Sequence, residues 1–521
     1  MIKLHLSPTS GHWFVGSGAK SLISKLLLVT LLTSSGTASE TCSDLSTLLL
    51  PDVRITEAVA LSDSASLSGK VKVPHCKVSG VIGQEIHFEA QLPEAWNGRF
   101  FMGGGGGYVG SISNDAVGTV NKGYASIGTD AGHRGSGIRA KWAVDHPDRV
   151  INFGHLAIHR TAEVGKELIR AHYGSGPEFS YFKGCSAGGG QAMMESQRYP
   201  DDFDGIIAIS PAFNWTSFTA EMIQNSQLSF PNPATFDQPV ITQNNLALLE
   251  SAILGECDEL DGVIDGILDD PRECLFDLST LPSCPKGYPA PDCLTAEQRA
   301  AIESVYAPVV GPNGQIHPGQ PFGGENDPRG WAPWIAGEKI LKRKGTPTLQ
   351  WAFGTEFYKY FVYADAEWDY RDYDFDTWQE DTKFVSEIVD ATDTDLSAFK
   401  ASGGRMIIWH GWSDAAMSAL ATIEYYEAVE AQDSDVRDYL RMYLLPGVMH
   451  CGNGPGPSRV DWDAAIVEWV EHGKAPGALI ASKRQDGQIT MTRPLCVYPE
   501  RAVYIGSGST DEATSFECRA H

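Results

Sequence analysis

The 521-residue sequence predicts an α/β fold interrupted by one large insertion, and three observations predict it. The first is a strand–turn–helix unit. The aromatic stretch Glu178–Phe182 runs into Lys183-Gly184-Cys185-Ser186-Ala187-Gly188-Gly189-Gly190, and Gln191–Arg198 follows as a helix. The second is a set of short apolar stretches without polar alternation, separated by helical ones, the pattern of parallel strands buried on both faces. The third is a break in that rhythm from about Phe213 to about Thr392, where cysteine pairs, Pro/Gly clusters and aromatic residues crowd together.

Taken in order, Glu85–Leu92 alternates polar and apolar residues and predicts an edge or outer strand. Arg99–Met102 predicts a buried strand running into the glycines 103–107, and Tyr124–Asp130 the next one. Leu156–His172 has helical spacing, Tyr181–Lys183 is the strand before the turn, and Gly205–Ser210 is a further buried strand. Alternation resumes with Arg405–Trp409 as a strand, Ser418–Ala431 as a helix, Leu440–Leu445 as the last core strand and Val460–His472 as the last helix. These elements divide the chain into a first core part (39–212), a lid domain (213–392) and a second core part (393–521).

Composition narrows the function classes. With 42% hydrophobic and 20% charged residues the chain suits a large globular protein of more than one structural unit. A formal charge of −26 repels phosphate backbones and anionic lipid, which disfavours nucleic-acid and membrane partners and favours a monomer or small homo-oligomer. Residues 1–38 differ from the rest. Lys3, Lys20 and Lys25 precede the apolar run Leu26–Leu32, and Ser34-Ser35-Gly36-Thr37-Ala38 supplies the small residues of a signal-peptidase site. The run falls short of the about 20 apolar residues that span a bilayer, so the expectation is secretion without an anchor. All ten cysteines follow that segment, and an even number in an exported chain argues for disulfides rather than metal ligation. Local neighbours pair as Cys42–Cys76, Cys257–Cys274, Cys284–Cys293 and Cys496–Cys518, which leaves Cys185 and Cys451. Spacing alone leaves the connectivity open.

The turn Gly184-Cys185-Ser186-Ala187-Gly188 has the Gly-x-Ser-x-Gly form of a nucleophile elbow, in the strand–turn–helix setting of an α/β-hydrolase. The turn strains the serine backbone, and neighbours without Cβ let strand and helix approach. In that architecture an acid and then a histidine follow the serine, on loops after late strands. Arg405–Trp409 leads into His410-Gly411-Trp412-Ser413-Asp414, and the strand ending at Leu445 leads into Pro446-Gly447-Val448-Met449-His450-Cys451. Asp414 and His450 take the required places, with His410 as a competing base. Ser186 would attack an acyl carbon, His450 would take its proton and return it to the leaving alcohol, and Asp414 would orient the imidazole. Singly, Asp414 reads equally well as a turn residue and His450 as a loop histidine; their order after the right strands gives them weight. Cys185 precedes Ser186 and Cys451 follows His450, so a bond between them would hold nucleophile and base together. For the oxyanion, the N–H of Ala187 is one expected donor, and the glycine run supplies the other, with Gly104 preferred over its neighbours.

These residues resemble the CS-D-HC arrangement of the tannase/feruloyl esterase family. The resemblance extends through Asn97-Gly98-Arg99-Phe100-Phe101-Met102, Thr129-Asp130-Ala131-Gly132-His133 and Pro446-Gly447, nearly the whole mature chain. The HGWSDAAMSAL stretch and the five-disulfide spacing are similar to the family's bacterial mono(2-hydroxyethyl) terephthalate hydrolase branch. The resemblance implies an α/β-hydrolase with a lid, a Cys185–Cys451 bond and an oxyanion hole of the Gly104 and Ala187 amides.

The insertion carries a second candidate site, Cys257-Asp258-Glu259-Leu260-Asp261-Gly262-Val263-Ile264-Asp265-Gly266-Ile267-Leu268-Asp269. Closely spaced carboxylates and exposed carbonyls suit a hard cation, the spacing is not that of an EF-hand, and a solvated acidic loop is the alternative. The resemblance implies a structural calcium ion on the side chains of Asp258, Asp261 and Asp265 and the carbonyls of Val263 and Ile267. Twelve aromatic residues fall between Trp351 and Trp378, among them Phe353, Phe357, Tyr358, Trp368 and Tyr370. Most are expected in lid packing, and one or two facing an aryl substrate. The leading expectation is a secreted serine carboxylesterase for small aromatic esters of plant cell-wall or polyphenol type, feruloyl before galloyl or terephthalate monoesters. A catalytically silent calcium-binding scaffold and a peptidase or acyltransferase are the readings from other classes.

Overall fold

The computed structural model describes residues 40–62, 70–285, 288–337 and 346–520. The export segment expected at 1–38 lies outside them.

The chain begins with β1 (Val53–Leu61), β2 (His75–Ile82) and β3 (Ile86–Pro93) as an antiparallel meander. β4 (Arg99–Gly103) leaves it, and β5 (Ser126–Thr129) returns to pair with β3. α1 (Pro147–Ile151) and α2 (Ala157–Tyr173) cross to β6 (Phe179–Cys185), and α3 (Ala187–Arg198) leads to β7 (Gly205–Ile209). The interrupting segment holds α4 (Trp215–Ser229), α5 (Gln243–Cys257), α6 (Ala296–Tyr306), the hairpin β8 (Val309–Gly311) and β9 (Gly314–His317), α7 (Leu349–Phe357) and α8 (Trp378–Val389). α9 (Ser397–Ala401), β10 (Arg405–Gly411), α10 (Ala419–Gln432), β11 (Leu440–Leu445) and α11 (Trp462–His472) complete the core. Two hairpins end the chain: β12 (Leu479–Gln485) with β13 (Gln488–Leu495), and β14 (Arg501–Tyr504) with β15 (Phe516–Arg519).

The central sheet has the order β11-β10-β7-β6-β4 with every neighbour parallel. A parallel bridge between Phe100 and Ala125 carries it on to the antiparallel sheet. Alternate residues of each strand face opposite layers. Phe100, Phe182, Ile206 and Ile408 pack with α2 and α3, whereas Phe101, Tyr181, Ile207, Ile407 and Tyr443 pack with Trp462, Ile466 and Trp469 of α11. This is the α/β-hydrolase arrangement. Because the strands are parallel, the loops after β4, β6, β10 and β11 leave from one edge, which gathers the glycine run, Ser186, Asp414 and His450 there. No strand between β7 and β10 joins that sheet among the described residues. Part of the interrupting segment (Leu246, Leu249, Ile253, Ile302, Trp331) forms an apolar cluster of its own. Trp215, Phe218, Phe353 and Phe357 enter the main core instead.

All five disulfides form: Cys42–Cys76, Cys185–Cys451, Cys257–Cys274, Cys284–Cys293 and Cys496–Cys518. Two expectations need correction. β3 is no edge strand, since it pairs with both β2 and β5. Its polar residues Glu89 and Gln91 are buried and bonded to each other, Gln91 Nε2 donating to Glu89 Oε1 at 2.8 Å. α3 starts at Ala187 rather than Gln191. Glycine is a poor helix former, but here three glycines make the first turn because of what they face. A Cβ on Gly190 would sit 2.1 Å from the carbonyl oxygen of Ala212. Gly190→Ala is therefore expected to lower unfolding stability by about 1–3 kcal/mol, seen as a lower denaturant midpoint at unchanged helical content.

Candidate active site

β6 ends at Cys185 and α3 begins at Ala187, so Ser186 alone makes the turn, at φ 62° and ψ −123°. A positive φ on a serine is strained and is kept only where its surroundings over-determine it. Here the Ser186 N–H donates to Ile209 O at 3.0 Å, and its carbonyl accepts from Gly190 (3.0 Å) and Ala212 (2.9 Å). Asp115 Oδ2 accepts the N–H of Cys185 at 3.1 Å. A Cβ on Gly184 would lie 2.5 Å from the backbone of Gly188, which is why strand and helix can cross so closely only with glycine before the turn.

Asp414 is buried in the loop after β10, where its Oδ1 accepts the N–H groups of Ala416 (2.9 Å) and Met417 (3.1 Å). Its Oδ2 accepts from His450 Nδ1 at 2.8 Å. Burial pushes this carboxyl up, but the two histidines beside it, His450 and His410, more than offset burial and hold it well below the ordinary carboxylate range. With Nδ1 engaged by the acid, Nε2 of His450 is the nitrogen left for proton transfer. His410 is fully buried, with Nδ1 2.9 Å from Thr422 Oγ1 and Nε2 3.1 Å from Met417 O and 3.3 Å from Asp414 Oδ2. With both nitrogens engaged, it is a neighbour of the acid and not the base.

The Cys185–Cys451 bond joins residues 266 apart and brackets the pair. One ring nitrogen of His450 and both sulfurs lie within 4.8 Å of one another; because the sulfurs are bonded to each other, this is no metal site. Cys451 also holds a positive φ, 61°. Trp334 stands edge-on to the His450 ring, centroids 5.2 Å apart, and stacks on Phe353 at 6.3 Å. Phe357, Tyr358 and Tyr370 are buried, so most of the aromatic tract is packing. On another side of Ser186 a cavity of about 510 Å³ opens, walled by Asp115, Lys183, Cys185, Cys451 and Trp462.

Among the described residues the N–H of Ala187 has no hydrogen-bond partner, as the first amide of a helix should not. The Gly104 amide is committed. It donates to Lys183 O at 2.9 Å and extends the β4–β6 ladder, so it is not free for an oxyanion. The Gly105 amide donates to Gln191 Oε1 at 3.2 Å. That of Gly106, in the cavity wall, has no partner among the described residues.

Residues 70–519 match the family described as tannase and feruloyl esterase. The chain belongs to this family. It is 33% identical to a mono(2-hydroxyethyl) terephthalate hydrolase of Piscinibacter sakaiensis, over 89% of this chain and 88% of that one. It is 29% identical to feruloyl esterase B of Aspergillus niger, over 82% and 83% of the two chains. The crystal structure of feruloyl esterase B from Aspergillus oryzae superposes with a TM-score of 0.82 at 26% identity, covering 92% of this chain and 99% of that one.

The acidic loop of this tannase and feruloyl esterase family member folds around its own backbone. Asp258 Oδ1 and Oδ2 both accept the Gly266 N–H at 3.0 Å, Asp261 Oδ1 accepts from Val263 at 2.9 Å, and Asp265 Oδ1 from Ile267 at 3.2 Å. Arg493 of β13 donates to Asp265 Oδ2 at 2.9 Å. Burial, with the charges of neighbouring aspartates, pushes Asp261 up to about 6 and Asp269 up to about 7. Carboxylates and carbonyls are the donors that calcium takes, so the residues fit it in kind. They do not yet converge: among the described residues no three of these carboxylates come within 4.8 Å of one another. Asp269 lies in the acidic stretch but outside the expected ligand set, and Arg493, Asp115 and Trp334 carry no sequence signal.

The clamp around His450 can be tested. The double variant Cys185→Ser/Cys451→Ser is expected to lose about 2–4 kcal/mol of stability and to lower kcat for a p-nitrophenyl ester with little change in KM. An unchanged kcat would leave the bond a purely stabilising role.

Proposed function

We propose that this carboxylic ester hydrolase is a secreted serine esterase that cleaves esters of aromatic acids through an acyl-enzyme. The observation that carries the reading is the covalently bracketed constellation: Ser186 on a strained elbow, His450 bonded to buried Asp414, and a disulfide tying elbow to histidine. Ser186 Oγ attacks the ester carbon while His450 Nε2 accepts its proton. The amides of Ala187 and Gly106 receive the developing oxyanion. Collapse expels the alcohol, protonated by His450, and water repeats the cycle on the acyl-enzyme. The buried anion of Asp414 stabilises the imidazolium at each stage.

Two relatives support an aromatic acyl group through their names, a feruloyl esterase and a terephthalate monoester hydrolase. Trp334 stands edge-on beside His450 with Phe353 stacked on it, and the segment that carries them is read as the lid. Hydroxycinnamoyl esters are the first substrate class, with terephthalate monoesters and galloyl esters the alternatives. Five disulfides support an extracellular or periplasmic location, and no helix of the described residues is long and apolar enough to cross a membrane.

Calcium would sit in the acidic loop on Asp258, Asp261 and Asp265 with the carbonyls of Val263 and Ile267, supplying countercharge between α5 and the C-terminal hairpins. It has no step in the chemistry.

Ser186→Ala is expected to lower kcat by about 10³-fold or more on methyl ferulate, and activity at the wild-type level would refute the nucleophile. Specificity constants for methyl ferulate, methyl gallate, a chlorogenate and mono(2-hydroxyethyl) terephthalate decide the acyl class, methyl ferulate or the chlorogenate being expected to lead. Removing calcium with a chelator is expected to lower the melting temperature and to leave the Ser186-dependent chemistry intact on calcium return. A melting temperature and metal content that do not respond would remove the ion.

A further inference from the structure

The interrupting segment touches the catalytic machinery in a second place, behind the acid. Glu221 of α4 is completely buried, and its Oε1 accepts hydrogen bonds from Gln320 Nε2 at 3.0 Å and Asn225 Nδ2 at 3.2 Å. Asn225 Nδ2 also donates to Gln350 Oε1 of α7 at 2.9 Å, and Gln350 Nε2 donates to the carbonyl of Ala415 at 3.1 Å. Ala415 is the residue after Asp414. Nearby, Ser418 Oγ donates to Gly319 O at 2.6 Å. A continuous relay of buried side chains therefore runs from Glu221 to the loop that carries the acid, and every member lies on the interrupting segment.

We propose that Glu221 is a positioning residue for the triad: through Asn225 and Gln350 it fixes the Ala415 carbonyl, and with it the orientation of Asp414 toward His450. This rests on the serine-esterase reading above.

The geometry calls for Glu221 as the neutral acid. Its Oε2 has no partner, and neither does Asn225 Oδ1, one helical turn away. Two bare acceptors in a buried site are costly, whereas a proton on Oε2 removes one of them by making it a donor. The titratable groups that face Glu221 agree. His317 of β9 is fully buried, with Nδ1 3.9 Å from Oε2, and that nitrogen already accepts the Gly319 N–H at 3.2 Å. Burial pushes His317 down to about 3, so it offers no positive charge. Beyond the relay stands the Asp414 anion, paired with His410 and His450. Burial, with the Asp414 charge adding to it, pushes Glu221 up to about 8. Gln350, Gln320 and Asn225, the other side chains of the relay, carry no charge.

The sign follows from linkage. Between the ordinary glutamate value and about 8 the folded protein keeps a proton that the unfolded chain has lost, so this site makes stability fall as pH rises through that window. Above it, Glu221 becomes a second buried anion near Asp414, with an unpaired charged oxygen at the head of the relay.

The test uses the full-length protein with methyl ferulate, or the best ester of the panel, from pH 5 to 9.5. Glu221→Gln keeps an acceptor and a donor and removes the ionisation. It is expected to match wild-type kcat at pH 6–7 and to keep activity above pH 8, where wild type declines. Glu221→Ala and, at the other end of the relay, Gln350→Leu are expected to lower kcat by on the order of 10- to 100-fold, with KM changed less than about threefold. A folded Glu221→Ala or Gln350→Leu protein with wild-type kcat would overturn the proposal, as would a Glu221→Gln profile with the wild-type alkaline decline. Ser186→Ala run alongside separates the two readings: activity that survives it refutes the serine mechanism, whereas an inactive Ser186→Ala beside a fully active Gln350→Leu refutes only the relay.

Discussion

Two loops leaving different strands of one sheet have to meet within hydrogen-bond reach, and a bond between Cys185 and Cys451 makes that meeting covalent. The parallel sheet brings the loops to the same edge. Sheet topology alone brings the loops together without fixing their side chains to the precision that proton transfer needs. Catalysis by proximity is steep in distance, and the disulfide narrows the freedom of both partners where it matters. The positive φ values of Ser186 and Cys451, on either side of that bond, fit the same account. Cys451 is tied by the bond itself, and Ser186 follows the other bonded residue directly.

Electrostatics completes what the tie begins. Asp414 is taken out of water, which by itself favours the neutral acid, yet it faces two histidines and two backbone amides. The anion wins because those partners act at short range in a dry site. His410 belongs to this balance. In sequence it competes with His450 as the base, and burial decides against it.

The central fold was legible because its signals are local. β4, β6, β7, β10 and β11 are apolar runs, and the elbow declares itself by glycine spacing within a strand–turn–helix. The order of Ser186, Asp414 and His450 follows from the same elements. What escaped depends on neighbours distant in the chain. Glu89 and Gln91 alternate like solvent-facing residues, and only the pairing of β3 on both sides reveals that they bond to each other in the interior. Gly104 looked free, but its amide continues the ladder to Lys183. Trp334 lies outside the aromatic tract 351–378 and reaches His450 only through the fold of the interrupting segment. The relay from Glu221 to Ala415 is built of ordinary glutamine and asparagine residues with no spacing signature at all.

Trp334 and Gln350 have a consequence for how such proteins diversify. One leans on the base and the other grips the acid's loop, and both come from the segment inserted between β7 and β10. That segment is therefore no interchangeable cap over a finished engine. Transplanting it between relatives to change which ester is accepted would also retune the proton-transfer pair beneath it, so substrate range and turnover would be inherited together.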